Sequence, residues 1–176
     1  EVLKLCDAHS SVLQGHIDLS GFKYIPPGHP IDVFINENKE LKKVNQQITD
    51  LIQQIENFSE SEFRNAVFTL RGFYNALLDV DKHYQRKEYL LFPYLESQGI
   101  TGPPKVMWGK HDEIRDLIKG SIEILKTENI SKDELLASAE IILNPANKGV
   151  YEMTIKEEEI LFPMSKDKLT EADWYE

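Results

Sequence analysis

Apolar side chains recur every three to four residues through four long stretches of this chain, and short turn sequences separate the stretches. In the first stretch the apolar positions include Phe34, Leu41, Ile48 and Ile55. The segments GFKYIPPGHP and SQGITGPP are rich in Pro and Gly and end neighbouring stretches. The pattern predicts an all-α protein with helices near 31–57, 61–97, 104–128 and 133–165, the last interrupted near Pro145.

Two capping boxes support these helix starts, because Ser59 precedes Glu62 and Ser131 precedes Glu134 at the required spacing. Four amphipathic helices joined by short loops predict an antiparallel up-down-up-down four-helix bundle. A further N-terminal helix is expected over residues 1–19, outside that bundle.

The composition excludes several functions. The 176-residue chain carries a net charge of −10, which argues against nucleic acid and anionic membranes as partners. No apolar run is long enough to cross a bilayer. The single cysteine, Cys6, is compatible with a reducing compartment, and a cytoplasmic location is expected.

One short string occurs twice, as RKEYLLFP at 86–93 and as KEEEILFP at 156–163. Glu88 lies on an apolar stripe of the second predicted helix, and Glu157 lies on an apolar stripe of the fourth. A glutamate in a run of charges is usually solvated. A position on the apolar stripe predicts instead that both carboxylates face one another inside the bundle.

Two histidines are expected at the same level. His111 lies on the apolar stripe of the third helix, and His83 lies one position off the stripe of the second. Counted from the turn near residue 100, their heights differ by at most about 9 Å at ~1.5 Å per residue. Histidine and carboxylate ligands suit iron, zinc or manganese. A single core histidine is more often structural, so the prediction depends on several inward groups occurring together.

These features resemble the hemerythrin-like, HHE cation-binding family over roughly residues 29–165. The resemblance rests on the two glutamate-to-LFP strings, on His83 upstream of the first, and on WGKHDEIRDLI in the third helix. It implies a bundle that holds non-heme iron with histidines and glutamates. The chain is also similar to prokaryotic multidomain proteins that place such a bundle between a small helical domain and a PAS domain.

That resemblance implies a division of the chain. Residues 1–20 would be a helix from a preceding domain, 21–29 a linker, 30–166 the hemerythrin-like bundle and 167–176 a C-terminal linker. Cys6, His9 and His16 share one face of the leading helix and are interpreted as packing or interface residues more readily than as metal ligands.

Three positions depart from the family pattern: Lys87 stands where a glutamate is usual, and Met153 and Asn38 stand where histidines are usual. The expected metal ligands are therefore a modified set, namely His29, His83, Glu88, His111 and Glu157. They would hold one or two non-heme iron ions, with zinc or manganese as alternatives.

Other roles remain open for residues beside that set. Glu37 and Glu158 are reserve carboxylates, and His29 has a second interpretation as a helix cap. Lys87 has an alternative role as an internal replacement for a lost cation.

The function expected from this site is the sensing of oxygen, nitric oxide or redox state, passed to a neighbouring domain of the same polypeptide. One alternative is a metal-dependent oxidoreductase acting on oxygen or nitrogen oxides. A metal-free helical interaction module is the other.

Overall fold

The computed structural model describes residues 24–175, and its regular elements are all helical over that range. The first bundle helix is α1, Pro30–Gln54, extended by a 3-10 turn at Ile55–Asn57. The second consists of α2 (Glu60–Leu77), α3 (Val80–Arg86) and α4 (Phe92–Ser97). The third is α5, Gly102–Leu125. The fourth consists of α6 (Lys132–Ser138), α7 (Asn144–Lys156) and α8 (Phe162–Lys168).

The four bundle helices enclose one apolar core. Each packs against its neighbour in the chain, and the first also packs against the fourth. The predicted all-α four-helix bundle is therefore confirmed, with boundaries close to those expected. The helix predicted for residues 1–19 lies outside the described residues.

Both predicted capping boxes are present. The backbone N–H of Ser59 donates to Glu62 over 2.7 Å, and the Ser59 hydroxyl accepts from the backbone N–H of Glu62. Ser131 and Glu134 make the same pair of contacts. These reciprocal bonds satisfy N–H groups that a helix start would otherwise leave without partners.

The second and fourth bundle helices contain three π-helical turns, at Lys87–Leu91, Ala139–Leu143 and Glu157–Leu161. Each ends two residues before a proline: Pro93, Pro145 or Pro163. Proline has no N–H and its ring clashes with the carbonyl four residues earlier, so the helix widens just before it. The interruption expected near Pro145 is thus a widened turn within a continuing helix.

The two LFP strings lie at the ends of two of these π-helical turns. Each supplies the last residue of a π-helical turn, then Phe and Pro. The phenylalanines, Phe92 and Phe162, are buried in the core. Two consecutive side chains at the start of the first turn, Lys87 and Glu88, are buried in the interior.

Two further features complete the described fold. The buried hydroxyl of Tyr74 donates to the carbonyl of Leu143 over 2.6 Å and ties the second bundle helix to the fourth. Leu169 and Trp174, from the predicted C-terminal linker, pack against the core. Among residues 24–175, no helix combines the length and apolar character needed to span a membrane.

Candidate functional site

Glu157 lies at the centre of a buried polar cluster. It begins a π-helical turn of the fourth bundle helix and has no exposed surface. Its Oε2 atom accepts from Asn38 Nδ2 at 3.0 Å and faces His83 Nε2 at 2.9 Å, and its Oε1 atom accepts from Lys87 Nζ. Burial alone raises the pKa of this carboxyl, but the positive charges of Lys87 and His83 outweigh it, so the pKa is well below its ordinary value. Glu157 is therefore an ionised carboxylate surrounded by N–H donors.

Lys87 brings the positive charge into this cluster. Its side chain is fully buried, and its Nζ atom lies between Glu157 Oε1 and His111 Nε2, 3.3 Å from the latter. The same nitrogen lies 4.6 Å from the centre of the Tyr84 ring. Burial lowers the pKa of Lys87, while the charge and hydrogen bond of Glu157 act in the opposite direction. A buried ammonium is stable only with such partners.

His111 faces Lys87 with one ring nitrogen and a carboxylate with the other. Its Nδ1 atom is 2.7 Å from Glu88 Oε1, and its ring stacks on Tyr84 with centroids 3.9 Å apart. Burial, followed by the charge of Lys87, lowers the pKa of His111 to about 4. The neutral ring therefore donates through Nδ1 to Glu88 and accepts from Lys87 through Nε2.

His83 lies between two carboxylates. Its Nδ1 atom is 2.7 Å from Glu37 Oε2, and its Nε2 atom is 2.9 Å from Glu157 Oε2. Ionised carboxylates only accept hydrogen bonds, so both contacts are made when both ring nitrogens carry hydrogen. In that state His83 has no free lone pair.

The carboxylate that contacts Nδ1 of each histidine is itself held by an arginine. Arg86 Nη2 donates to both oxygens of Glu37 at 2.7 Å, and Arg115 Nη2 donates to Glu88 Oε2 at 2.8 Å. The two arrangements are thus Arg86–Glu37–His83 and Arg115–Glu88–His111. Both hold the ring by Nδ1 and direct Nε2 towards the centre.

Comparison with known proteins identifies the family of this arrangement. The family model described as the hemerythrin HHE cation binding domain matches residues 36–165. The chain belongs to this family. No curated protein matches it.

Hemerythrin-type domains bind metal cations, and the groups of this centre do not fit a metal as they are placed. Within residues 24–175, no three His, Cys, Asp or Glu side chains are grouped to hold a metal ion. Lys87 Nζ lies against the inner atoms of Glu157 and His111, and both nitrogens of His83 face carboxylates. The Lys87 Nζ atom occupies the space between Glu157 Oε1 and His111 Nε2.

The structure brings four of the five predicted ligands into one cluster: His83, Glu88, His111 and Glu157. Glu88 and Glu157 are both buried, as expected, but they do not meet across the bundle axis. Glu88 lies behind His111, and its two oxygens are engaged by His111 and Arg115. That these four residues bind a metal stays a prediction.

His29 has a different position. It is the N-cap of α1, where its Nδ1 atom accepts from the backbone N–H of Ile31 at 3.1 Å, and its ring packs on Trp174. Nine residues, about 13 Å of helix, separate it from the level of Asn38. The cap interpretation of His29 accounts for these contacts.

The two reserve carboxylates also have defined partners. Glu37 supports His83, while Glu158 pairs with Lys42 at 2.7 Å near the surface. Cys6, His9 and His16 lie outside the described residues.

Sequence reasoning missed Arg115 and the contact of Asn38 with Glu157. Arg115 follows His111 by four residues, which places both on one face of the third bundle helix. That spacing was an available signal. Asn38 had no comparable signal, because its partner is 119 positions away in the chain.

Proposed function

We propose that this domain is a helical interaction module of a signalling protein, and that its centre is stabilised by Lys87 in place of iron. The observation that carries the proposal is the position of the Lys87 ammonium between Glu157 and His111. A lysine in this position supplies one positive charge to a carboxylate that would otherwise be buried without a partner.

The same arrangement opposes an iron pair. Two divalent ions placed beside a buried ammonium would repel it and one another, and charge repulsion is strong at short distance in a protein interior. Oxygen carriage and oxidoreductase activity would both need such a metal. Neither gains separate support from the contacts of the described residues.

The signalling part of the proposal is supported by the connectivity of the polar cluster, which includes side chains from all four bundle helices. They are Glu37 and Asn38 from the first helix, His83, Lys87 and Glu88 from the second, His111 and Arg115 from the third, and Glu157 from the fourth. A change in these contacts has to be matched by a change in helix packing. Such coupling suits a module that passes a conformational change to a neighbouring domain of the same polypeptide.

A second candidate function is the sensing of oxygen, nitric oxide or redox state through a bound iron, zinc or manganese ion. One observation favours it. Glu157 and His111 Nε2 both contact Lys87 Nζ, and His83 Nε2 contacts Glu157. This candidate requires Lys87 to leave the centre.

Elemental analysis separates the two candidates. The protein is purified without a metal-affinity step, and its visible spectrum is recorded in air and without oxygen. We expect well under about 0.1 metal ion per chain, no visible band, and a melting temperature that a chelator does not change. One or more iron ions per chain, with a band that responds to oxygen, would establish the sensor instead.

A further inference from the structure

Lys87 is surrounded by groups that are already oriented as a metal site requires. We infer that Lys87 is the residue that keeps divalent metal ions out of this centre, and that its removal opens a metal site formed by His83, His111 and Glu157. This inference rests on the proposed function, because it assumes that the lysine, and not a metal, fills the centre of the natural protein.

The first support is the state of the two histidines. A metal-binding imidazole usually donates its outer N–H to a carboxylate, which fixes the ring and its inner nitrogen. His83 and His111 each have Nδ1 at 2.7 Å from a carboxylate, Glu37 and Glu88, and an arginine fixes each of these carboxylates in turn. The outer support of a two-histidine site is therefore complete.

The second support is that two buried acceptors would be left without a partner if the Lys87 ammonium were removed. Glu157 Oε1 and His111 Nε2 would each lose a donor, and both side chains have no exposed surface. A buried acceptor without a partner costs free energy, and a buried carboxylate without a cation costs more. A divalent ion meets both needs, since carboxylate oxygen and imidazole nitrogen are common ligands of zinc, iron and cobalt.

The third support is position. Lys87 follows His83 by four residues, so the two share a helix face, and both side chains are buried. Shortening this one side chain removes none of the contacts that hold the two histidines through Nδ1. The space and the donors would then both be present.

The experiment compares Lys87→Ala and Lys87→Met with the natural protein, using Co²⁺ as a spectroscopic probe and Zn²⁺ as a competitor. Lys87→Met removes the charge but keeps a side chain of similar length in the space. Lys82→Ala, at an exposed lysine on the same helix, is the matched control. We expect Lys87→Ala to bind about one Co²⁺ at least about a hundredfold more tightly than the other three proteins, and His111→Ala added to it to abolish the cobalt band.

The outcomes are distinguishable. Tight Co²⁺ binding by the natural protein would overturn the proposed function. Absence of binding in both the natural protein and Lys87→Ala would overturn only the present inference. Tight binding by both Lys87→Ala and Lys87→Met would support it and would assign the exclusion to the charge of the ammonium. If Lys87→Ala is unfolded without metal, Co²⁺ or Zn²⁺ has to restore its far-ultraviolet helical signal, and failure to do so also overturns the inference.

Discussion

At the scale of single residues, the main feature is an ion pair with no exposed surface, Lys87 with Glu157. Taking two charges out of water costs several kcal/mol per ion, and only good geometry with further hydrogen bonds offsets that cost. Here Glu157 has Asn38 and His83 as further partners, and Lys87 has His111 and the face of Tyr84. Each group depends on the others, so a change of charge at one has to affect stability.

His111 allows a test of this dependence through pH. Its pKa in the folded protein is about 4, whereas an unperturbed histidine titrates near 6.5. Between these values the unfolded chain holds the proton and the folded chain does not, so stability rises with pH in this window. The contribution of His111 is complete above about pH 6.5 and is lost as the pH falls towards about 4.

We therefore expect the free energy of unfolding to fall by about 2 kcal/mol between about pH 7 and pH 5, measured by urea denaturation. His111→Gln is the control and should lose most of this slope. The groups facing His111 do not produce the effect, because the pKa of Glu88 is below its ordinary value and Lys87 stays paired with Glu157. An unchanged slope in His111→Gln would contradict this assignment.

At the scale of helices, the boundaries followed from the sequence because the apolar period and the capping boxes are local signals. Which side chain of the second helix reaches the centre did not follow. Glu88 follows Tyr84 by four residues on the apolar stripe, which led to the expectation that Glu88 faces the bundle axis. Lys87 and Glu88 are both buried, as His83 and Tyr84 are one turn earlier, and Lys87 takes the central position. The spacing of apolar residues does not decide which of two adjacent inward side chains reaches the centre.

Two glycines within helices provide a test of packing against helix propensity. A Cβ atom at Gly72 would meet nothing within 4 Å, whereas one at Gly149 would lie 3.0 Å from Cγ1 of the buried Ile114. Alanine is favoured over glycine inside a helix by about 1 kcal/mol. We expect Gly72→Ala to raise the free energy of unfolding by about that amount and Gly149→Ala to raise it less or to lower it. Chemical denaturation measures both free energies of unfolding. An equal increase for the two variants would show that the third and fourth bundle helices can move apart at no cost.

At the scale of the whole molecule, the bundle was predictable but the pairing inside it was not. The apolar stripes identified His83, His111, Glu88 and Glu157 as inward groups. They did not show which inward group contacts which, because such pairs lie far apart in the chain: 46 residues for His83 with Glu37, 70 for Lys87 with Glu157 and 119 for Asn38 with Glu157. Such contacts depend on the rotation and height of whole helices.

These long separations also affect the order of events during folding. The ion pair between Lys87 and Glu157 can form only after the second and fourth bundle helices have come together. Neither charged group is desolvated before it contacts the other, because burial of an unpaired charge is costly. We therefore expect the polar centre to form after the main folding barrier. Glu157→Gln should speed unfolding by about a hundredfold while changing the folding rate by less than about threefold.

Stopped-flow folding and unfolding in denaturant measures both rates. Glu40→Gln, at the exposed pair with Lys43, is the control and should change neither rate appreciably. A folding rate that falls as much as the unfolding rate rises would mean that the charges meet early. If the charges meet late, the polar centre mainly slows unfolding of the completed bundle. The lifetime of the folded state then depends on the buried ammonium of Lys87 and its contact with Glu157.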